Sequence, residues 1–186
     1  MAHLKSPAGA PPRISHDLLA EHSEGLIGLS GDLSGEIANA LLRNEPTEAK
    51  RLIARYKTLF APGNFYLECQ LGGLAEHDAV VPQLIALGQQ TETPCVATND
   101  AHYGKPEEAR AHEVLMCIGL GIQAQAGDLP TAQLDLAGDE EMRRRFARWP
   151  ELCGGAPHRG PKTECPRDES LECGANFRAR VRDPTH

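Results

Sequence analysis

Three short apolar runs, each set between stretches of helical period, constrain this chain more than any other feature. Residues 26–30 (LIGLS) lie between two glycines and read as a buried strand. Residues 65–70 alternate Phe65, Leu67 and Cys69 against Tyr66, Glu68 and Gln70, the period of a strand with one buried face. Residues 94–98 (PCVAT) form the third run. Between them the period changes. Ser34 is placed to cap a helix through Ile37, Ala40 and Leu41 to about Arg43. Pro46 sits where a first helical turn tolerates it, and Leu52, Ile53, Tyr56, Leu59 and Phe60 follow at helical spacing until Pro62 and Gly63. Residues 78–89 carry Val81, Leu84, Ile85 and Gly88 on one face. Pro106 opens a further helix with Ala109, His112, Glu113 and Met116 along one stripe. Short helices are expected at 15–21, capped by Ser15, and at 139–146. Strands that alternate with helices pair in parallel, because each return crossover consumes a helix, so the class is α/β.

Within that class the nucleotide-binding versions find no support. No GxGxxG follows the first strand, and no GxxxxGK[ST] occurs anywhere. A TIM-like barrel remains, but such a barrel needs about eight strands and three are legible. Three strands would leave sheet edges open, so the expectation is an incomplete TIM-like barrel. The organisation read from the sequence is a Pro- and Ala-rich, disordered segment at 1–13, one domain at 14–151, and an irregular tail at 152–186, disordered or foreign to the domain.

Charge narrows the partners. Residues 152–186 hold six Lys/Arg and five Asp/Glu, a balance of +1, whereas residues 1–151 hold 13 basic and 21 acidic residues, a balance of −8. An acidic body argues against a broad phosphate-binding surface, since nucleic-acid affinity comes from Lys and Arg neutralising phosphates. No apolar run approaches membrane-spanning length, and residues 1–12 lack the apolar core of a secretory signal, so the expected location is cytoplasmic. Cys69, Cys95 and Cys117 fall in periodic apolar segments and read as buried thiols. Cys153, Cys165 and Cys173 fall in the tail, and with His158 their spacing matches no common zinc module.

Two turns carry residues able to bind a metal. Asp100 and His102 leave the third run two residues apart, so in extended backbone both point the same way. Asp32 follows the first run in a glycine-rich turn. In parallel α/β folds the strand ends that precede helices converge on one rim, where ligands bind, so these three side chains are expected to meet there. Carboxylate and imidazole donors suit zinc or manganese. The competing reading is structural: an Asp-x-His after a strand commonly caps a turn, and Asp32 serves as a turn former. His112 with Glu113 reads as a packing pair on its helix. Glu68 is either a rim residue or a solvated strand position. His16, His22 and His77 lie in polar stretches and read as exposed.

Several linked motifs resemble the PHP (polymerase and histidinol phosphatase) domain of bacterial DNA polymerase III alpha subunits. They are residues 24–37 (EGLIGLSGDLSGEI), 64–68 (NFYLE) with Gly73 and Leu74, and 96–103 (VATNDAHY) followed by 107–115 (EEARAHEVL). Residues 140–143 (EEMR) resemble the helix that closes this region. The resemblance covers residues 14 to about 117 and, more thinly, 138–151. It implies a PHP-type, TIM-like barrel with a metal cluster at one rim, in which Asp100 and His102 correspond to the last two ligands. Asp32 stands where the family usually has a Cys ligand, so the softer thiolate is replaced by a hard donor and zinc preference is weakened. The family's upstream His-x-His pair and its polymerase palm carboxylates have no counterpart here.

The resemblance implies a DNA-directed DNA polymerase, a nucleotidyltransferase of DNA replication, with the polymerase active site outside this chain. It implies replisome partners, a proofreading exonuclease and the sliding clamp, and contact with DNA only through the full-length polymerase. On this reading the isolated chain is catalytically silent, and any divalent metal, zinc or manganese, is weakly held. Two alternatives stand beside it. One is a metal-dependent phosphoesterase of the wider PHP superfamily. The other is a non-catalytic docking module, since PHP domains of this family either retain metal-dependent 3′–5′ exonuclease activity or serve as a platform for a proofreading partner.

Overall fold

The computed structural model describes residues 14–120 and 133–154. The expected disorder of residues 1–13 and the expected irregular tail beyond Gly154 lie outside the described residues. Three parallel strands form one sheet in the order β1-β2-β3, where β1 is Gly28–Leu29, β2 is Phe65–Gln70 and β3 is Cys95–Thr98. Gly28 pairs with Phe65, and Leu67 pairs with Cys95. Helices α1 (His16–Glu21), α2 (Glu36–Leu42), α3 (Pro46–Leu59), α4 (Ala75–Thr91), α5 (Ala109–Leu120) and α6 (Asp139–Arg145) complete the fold. Two short 3-10 turns, Pro106–Glu108 and Pro150–Cys153, precede α5 and follow α6. Consecutive strands lie side by side, and α2, α3 and α4 pack against the apolar face of β2 on one side of the sheet.

The alternation in β2 sets the two faces. Phe65, Leu67 and Cys69 are buried at 3%, 0% and 0% exposure, and they meet Ile37 and Leu41 of α2, Leu52 and Ile53 of α3, and Val80, Val81, Leu84 and Leu87 of α4 in one core. Each fully buried branched side chain here contributes about 1.5–3 kcal/mol by leaving water. Met142 of α6, Phe146 just after it and Leu152 join the same core. The packed region therefore continues two residues into the segment that the sequence assigns to the tail. The reason is local: Leu152 is buried, and Cys153 Sγ reaches the Met142 carbonyl at 3.7 Å.

On the opposite face Tyr66, Glu68 and Gln70 are half-buried. Thr98 Oγ1 donates to Glu68 Oε1 at 2.6 Å, Gln70 Nε2 donates to the same oxygen at 3.0 Å, and the Glu68 amide donates to Ser30 Oγ at 2.9 Å. The Glu68 carboxylate is thus engaged by Thr98 of β3 and by Gln70 of its own strand, while its backbone amide links β2 to Ser30 after β1.

Element boundaries differ from expectation where tertiary contacts decide. β1 is two residues long: the Gly28 amide donates to the carbonyl of Asn64, just before β2, and the Ser30 amide to that of Tyr66, while Leu26 and Ile27 stay exposed. Gly35, not Ser34, caps α2, without any side-chain bond. α4 begins at Ala75 and takes His77 into its first turn, where the His77 amide donates to the Leu74 carbonyl. Ser15 caps α1 as expected, accepting from the Leu18 amide at 3.2 Å. Cys69 and Cys117 are buried, while Cys95 is only half-buried, because every residue of edge strand β3 keeps partial exposure. Contact with Cys95 and burial push the Cys69 thiol well above its ordinary range, which keeps it protonated and inert.

Two expected outcomes follow from this packing. A Cβ at Gly88 would stand 2.6 Å from Cys95 Sγ and 2.8 Å from the Thr93 carbonyl, so α4 lies against β3 at a distance that only glycine permits. Gly88→Ala should lower stability by about 1–3 kcal/mol in urea unfolding, and an unchanged midpoint would contradict this close approach. Tyr56 OH donates to Glu36 Oε2 at 2.9 Å and links α3 to α2. Burial first, and then that bond to a carboxylate, push its hydroxyl up from 10.0 to about 12. A raised value favours the protonated, folded form, so this contribution is complete below pH 10.0 and is lost as pH rises towards about 12. Ultraviolet titration should show one tyrosine ionising late, and Tyr56→Phe should remove that step.

Candidate functional site

The C-terminal ends of all three strands open on one rim, because the strands are parallel and each is followed by a helix-bound turn. After β1 the chain turns through Ser30, Gly31 and Asp32. Gly31 holds φ +78°, and the Gly35 amide donates to the Asp32 carbonyl at 2.7 Å. A Cβ on Gly35 would collide with the carbonyls of Ser30 and Asp32, so the turn that presents Asp32 is built on two glycines.

Asp32 meets a partner that sequence reasoning places elsewhere. His77, expected to be exposed, is 5% exposed and lies with Nε2 2.9 Å from Asp32 Oδ1. Its Nδ1 accepts the Gly72 amide at 3.2 Å. A ring nitrogen that accepts carries no proton, so the proton sits on Nε2 and points at the carboxylate. The imidazole is neutral, fixed in one tautomer, and locked between the end of β2 and the turn after β1. The signal missed is geometric: residues 71–74 (LGGL) let the chain fold back, so the first turn of α4 drops its third residue into the rim.

Asp100 and His102 do leave β3 together, as expected. Asp100 Oδ1 lies 3.1 Å from His102 Nε2, and both are exposed. His102 also reaches α5, where its Nδ1 lies 3.1 Å from His112 Nε2. His112, read from the sequence as a packing residue, is half-buried against the rings of His102 and Tyr103. The start of α5 is fixed by Glu108, whose carboxylate accepts from the Gly104 and Lys105 amides at 2.9 and 3.1 Å.

Residues 133–137 strap the two halves of the rim. The Gln133 amide donates to the Gly72 carbonyl at 2.8 Å, and the His102 amide donates to the Leu134 carbonyl at 2.8 Å. The Ala137 amide donates to Asn99 Oδ1 at 2.8 Å, and Tyr103 and Asp135 form a parallel bridge. Asp32 with His77 and Asp100 with His102 and His112 therefore occupy one rim as two constellations, with the end of β2 between them. Among the described residues no group of three His, Cys, Asp or Glu side chains is placed to hold a metal ion. The donors that the resemblance implies do not fit a single three-ligand centre in this arrangement, since Asp32 is engaged by His77 and Asp100 by His102.

His77→Ala would leave the Gly72 amide and the Asp32 carboxylate without their shared partner, at a cost of about 1–3 kcal/mol for the buried donor alone. Thermal unfolding should show that loss, whereas His22→Ala, at an exposed position, should leave the midpoint unchanged. Equal midpoints for the two variants would contradict the clamp.

Residues 1–71 match the PHP domain family model. Among curated proteins, the chain is 36% identical over 144 residues to the DNA polymerase III subunit alpha of Treponema pallidum, an alignment covering 76% of this chain and 12% of that protein. It is 34% identical over 155 residues to the subunit of Caulobacter vibrioides, covering 82% of this chain and 14% of the relative. It is 40% identical over 107 residues to that of Deinococcus radiodurans, covering 58% and 8%. The chain thus spans about an eighth of the length of the relatives it matches.

Proposed function

Because this chain is homologous to the PHP-domain region of bacterial DNA polymerase III alpha subunits, we propose that it serves DNA replication as that region of a replicative polymerase, and as a platform, not as the polymerising centre. The observation that carries the reading is the alignment with the Treponema pallidum subunit, at 36% identity over 76% of the chain. DNA-directed polymerisation belongs, in this proposal, to the longer protein. The palm carboxylates that would hold its two catalytic metal ions are not among the motifs of this chain. Contact with DNA would come through that longer protein as well, in keeping with the balance of −8 over residues 1–151.

The fold supports extending the proposal to a TIM-like barrel of PHP type. Doubly wound sheets reverse strand order at a switch point, whereas barrels add each strand beside the last with helices outside. The order β1-β2-β3, with α2, α3 and α4 on one face, follows the barrel pattern. The polar face of Ser30, Glu68, Gln70 and Thr98 would then look inward. We place the domain at residues 14–151, with the core running on to Cys153.

Asp32, Asp100 and His102 are proposed as rim donors that take zinc or manganese only in company with further ligands. The pairing of Asp32 with His77 supports this, since a carboxylate committed to an imidazole N–H binds a cation less readily. A silent platform is therefore favoured over a phosphoesterase or a 3′–5′ exonuclease, with a proofreading exonuclease and the sliding clamp as partners. The proposed location is cytoplasmic; among the described residues no helix is long and apolar enough to cross a membrane.

The chain should bind an isolated proofreading exonuclease subunit in a pull-down. It should neither extend a primed template with deoxynucleotides and magnesium nor degrade single-stranded DNA with manganese. Loss of partner binding together with manganese-dependent cleavage abolished by Asp100→Ala would replace the platform reading with the hydrolase reading.

A further inference from the structure

We propose that the outward face of α5 pairs with the same face of a second copy of this chain, in an antiparallel two-fold contact. α5 turns one side to the protein: Cys117 is 8% exposed, and His112 and Glu113 are half-buried. Ala111, Val114, Leu115 and Ile118 follow at i, i+3, i+4 and i+7, so they line one stripe on the opposite side. Val114, Leu115 and Ile118 are 44%, 67% and 71% exposed, and Ala111 is exposed as well. The outer face of a surface helix ordinarily carries charged and polar side chains, whereas this stripe is wholly apolar.

The stripe presents apolar surface on the order of 400 Å², the size at which patches on soluble proteins mark contacts. Joining two copies removes about 800 Å² of it, and flanking side chains bring the contact to about 1,000 Å², enough for a weak, reversible dimer.

The spacing is self-complementary. In a two-fold contact, a residue that touches a second is touched by that second residue in return. With the axis between Val114 and Leu115 of two antiparallel helices, Ala111 faces Ile118 and Val114 faces Leu115. Each small side chain then admits a large one, and the helix dipoles oppose. Parallel pairing would set Ile118 on Ile118 and Ala111 on Ala111, a bulge beside a void, with the dipoles aligned. Charge fits the same occupant. Residues 1–151 carry a balance of −8, which repels a second copy at long range. Within α5 the charged side chains are Arg110 and Glu113, and they form an ion pair, so the seam is locally neutral. Salt should therefore strengthen the dimer, because it screens the repulsion and spares the apolar contact. This contact goes beyond the platform reading and does not depend on it.

Sedimentation of the full chain from micromolar to millimolar concentration, with nitrogen–proton spectra at both ends of the range, tests it. A monomer–dimer equilibrium is expected, tighter at high salt, with concentration-dependent shifts at Ala111, Val114, Leu115 and Ile118. Leu115→Lys sets two ammonium groups at the axis and should weaken the dimer at least about tenfold. Leu115→Met should keep it, and so should Leu42→Lys, at an exposed apolar position on α2. Unfolding midpoints should match across the variants, since both positions are exposed. The proposal is overturned by a monomer at every concentration, by a dimer that survives Leu115→Lys, or by shifts confined to another surface. It is equally overturned by a monomer whose α5 signals move only when a proofreading exonuclease is added, which would assign the face to that partner.

Discussion

β2 is the element on which the rest depends. Among the described residues it alone is paired on both sides, and its two faces do different work. Phe65, Leu67 and Cys69 anchor α2, α3 and α4 in the core, while Glu68 gathers hydrogen bonds from β3 and its backbone amide bonds Ser30. Its C-terminal extension at Gly72 then holds His77 on one side and Gln133 on the other. A register slip of one residue in β2 would exchange its apolar and polar faces and dissolve both the core and the rim.

Much of this was legible in the sequence for a simple physical reason: proline, glycine and strict alternation act locally. The period-two pattern of residues 65–70 delivers β2 to the residue, and Pro46 opens α3 where expected. Boundaries that depend on distant partners were not legible. The run at 26–30 contributes only Gly28 and Leu29 to pairing, because its partner strand begins at Phe65. His77 sits in a polar stretch, AEHDA, that reads as solvent-facing, and only the fold of Gly72 and Gly73 turns it inward. His112 packs half-buried as expected, but its partners, the His102 and Tyr103 rings in the turn after β3, depend on the fold and were not legible.

The rim departs from what the family resemblance implies in a chemically coherent way. Asp32, which stands where the resemblance implies a thiolate, has an imidazole N–H as its partner. The imidazoles that remain turned to one another lie on the other side of β2. The similarity to polymerase III alpha subunits and the division of the rim donors into two sets are the two observations on which the proposed platform reading rests.

The central claim is that the rim is clamped by a neutral His77 held between Gly72 and Asp32. The proton position on that ring, read from nitrogen–proton correlation spectra of the metal-free chain at mildly alkaline pH, tests it most directly. A protonated Nε2, a bare Nδ1 and slow exchange are predicted. A proton on Nδ1, or a ring averaging between tautomers, would contradict the clamp and the division of the rim that follows from it.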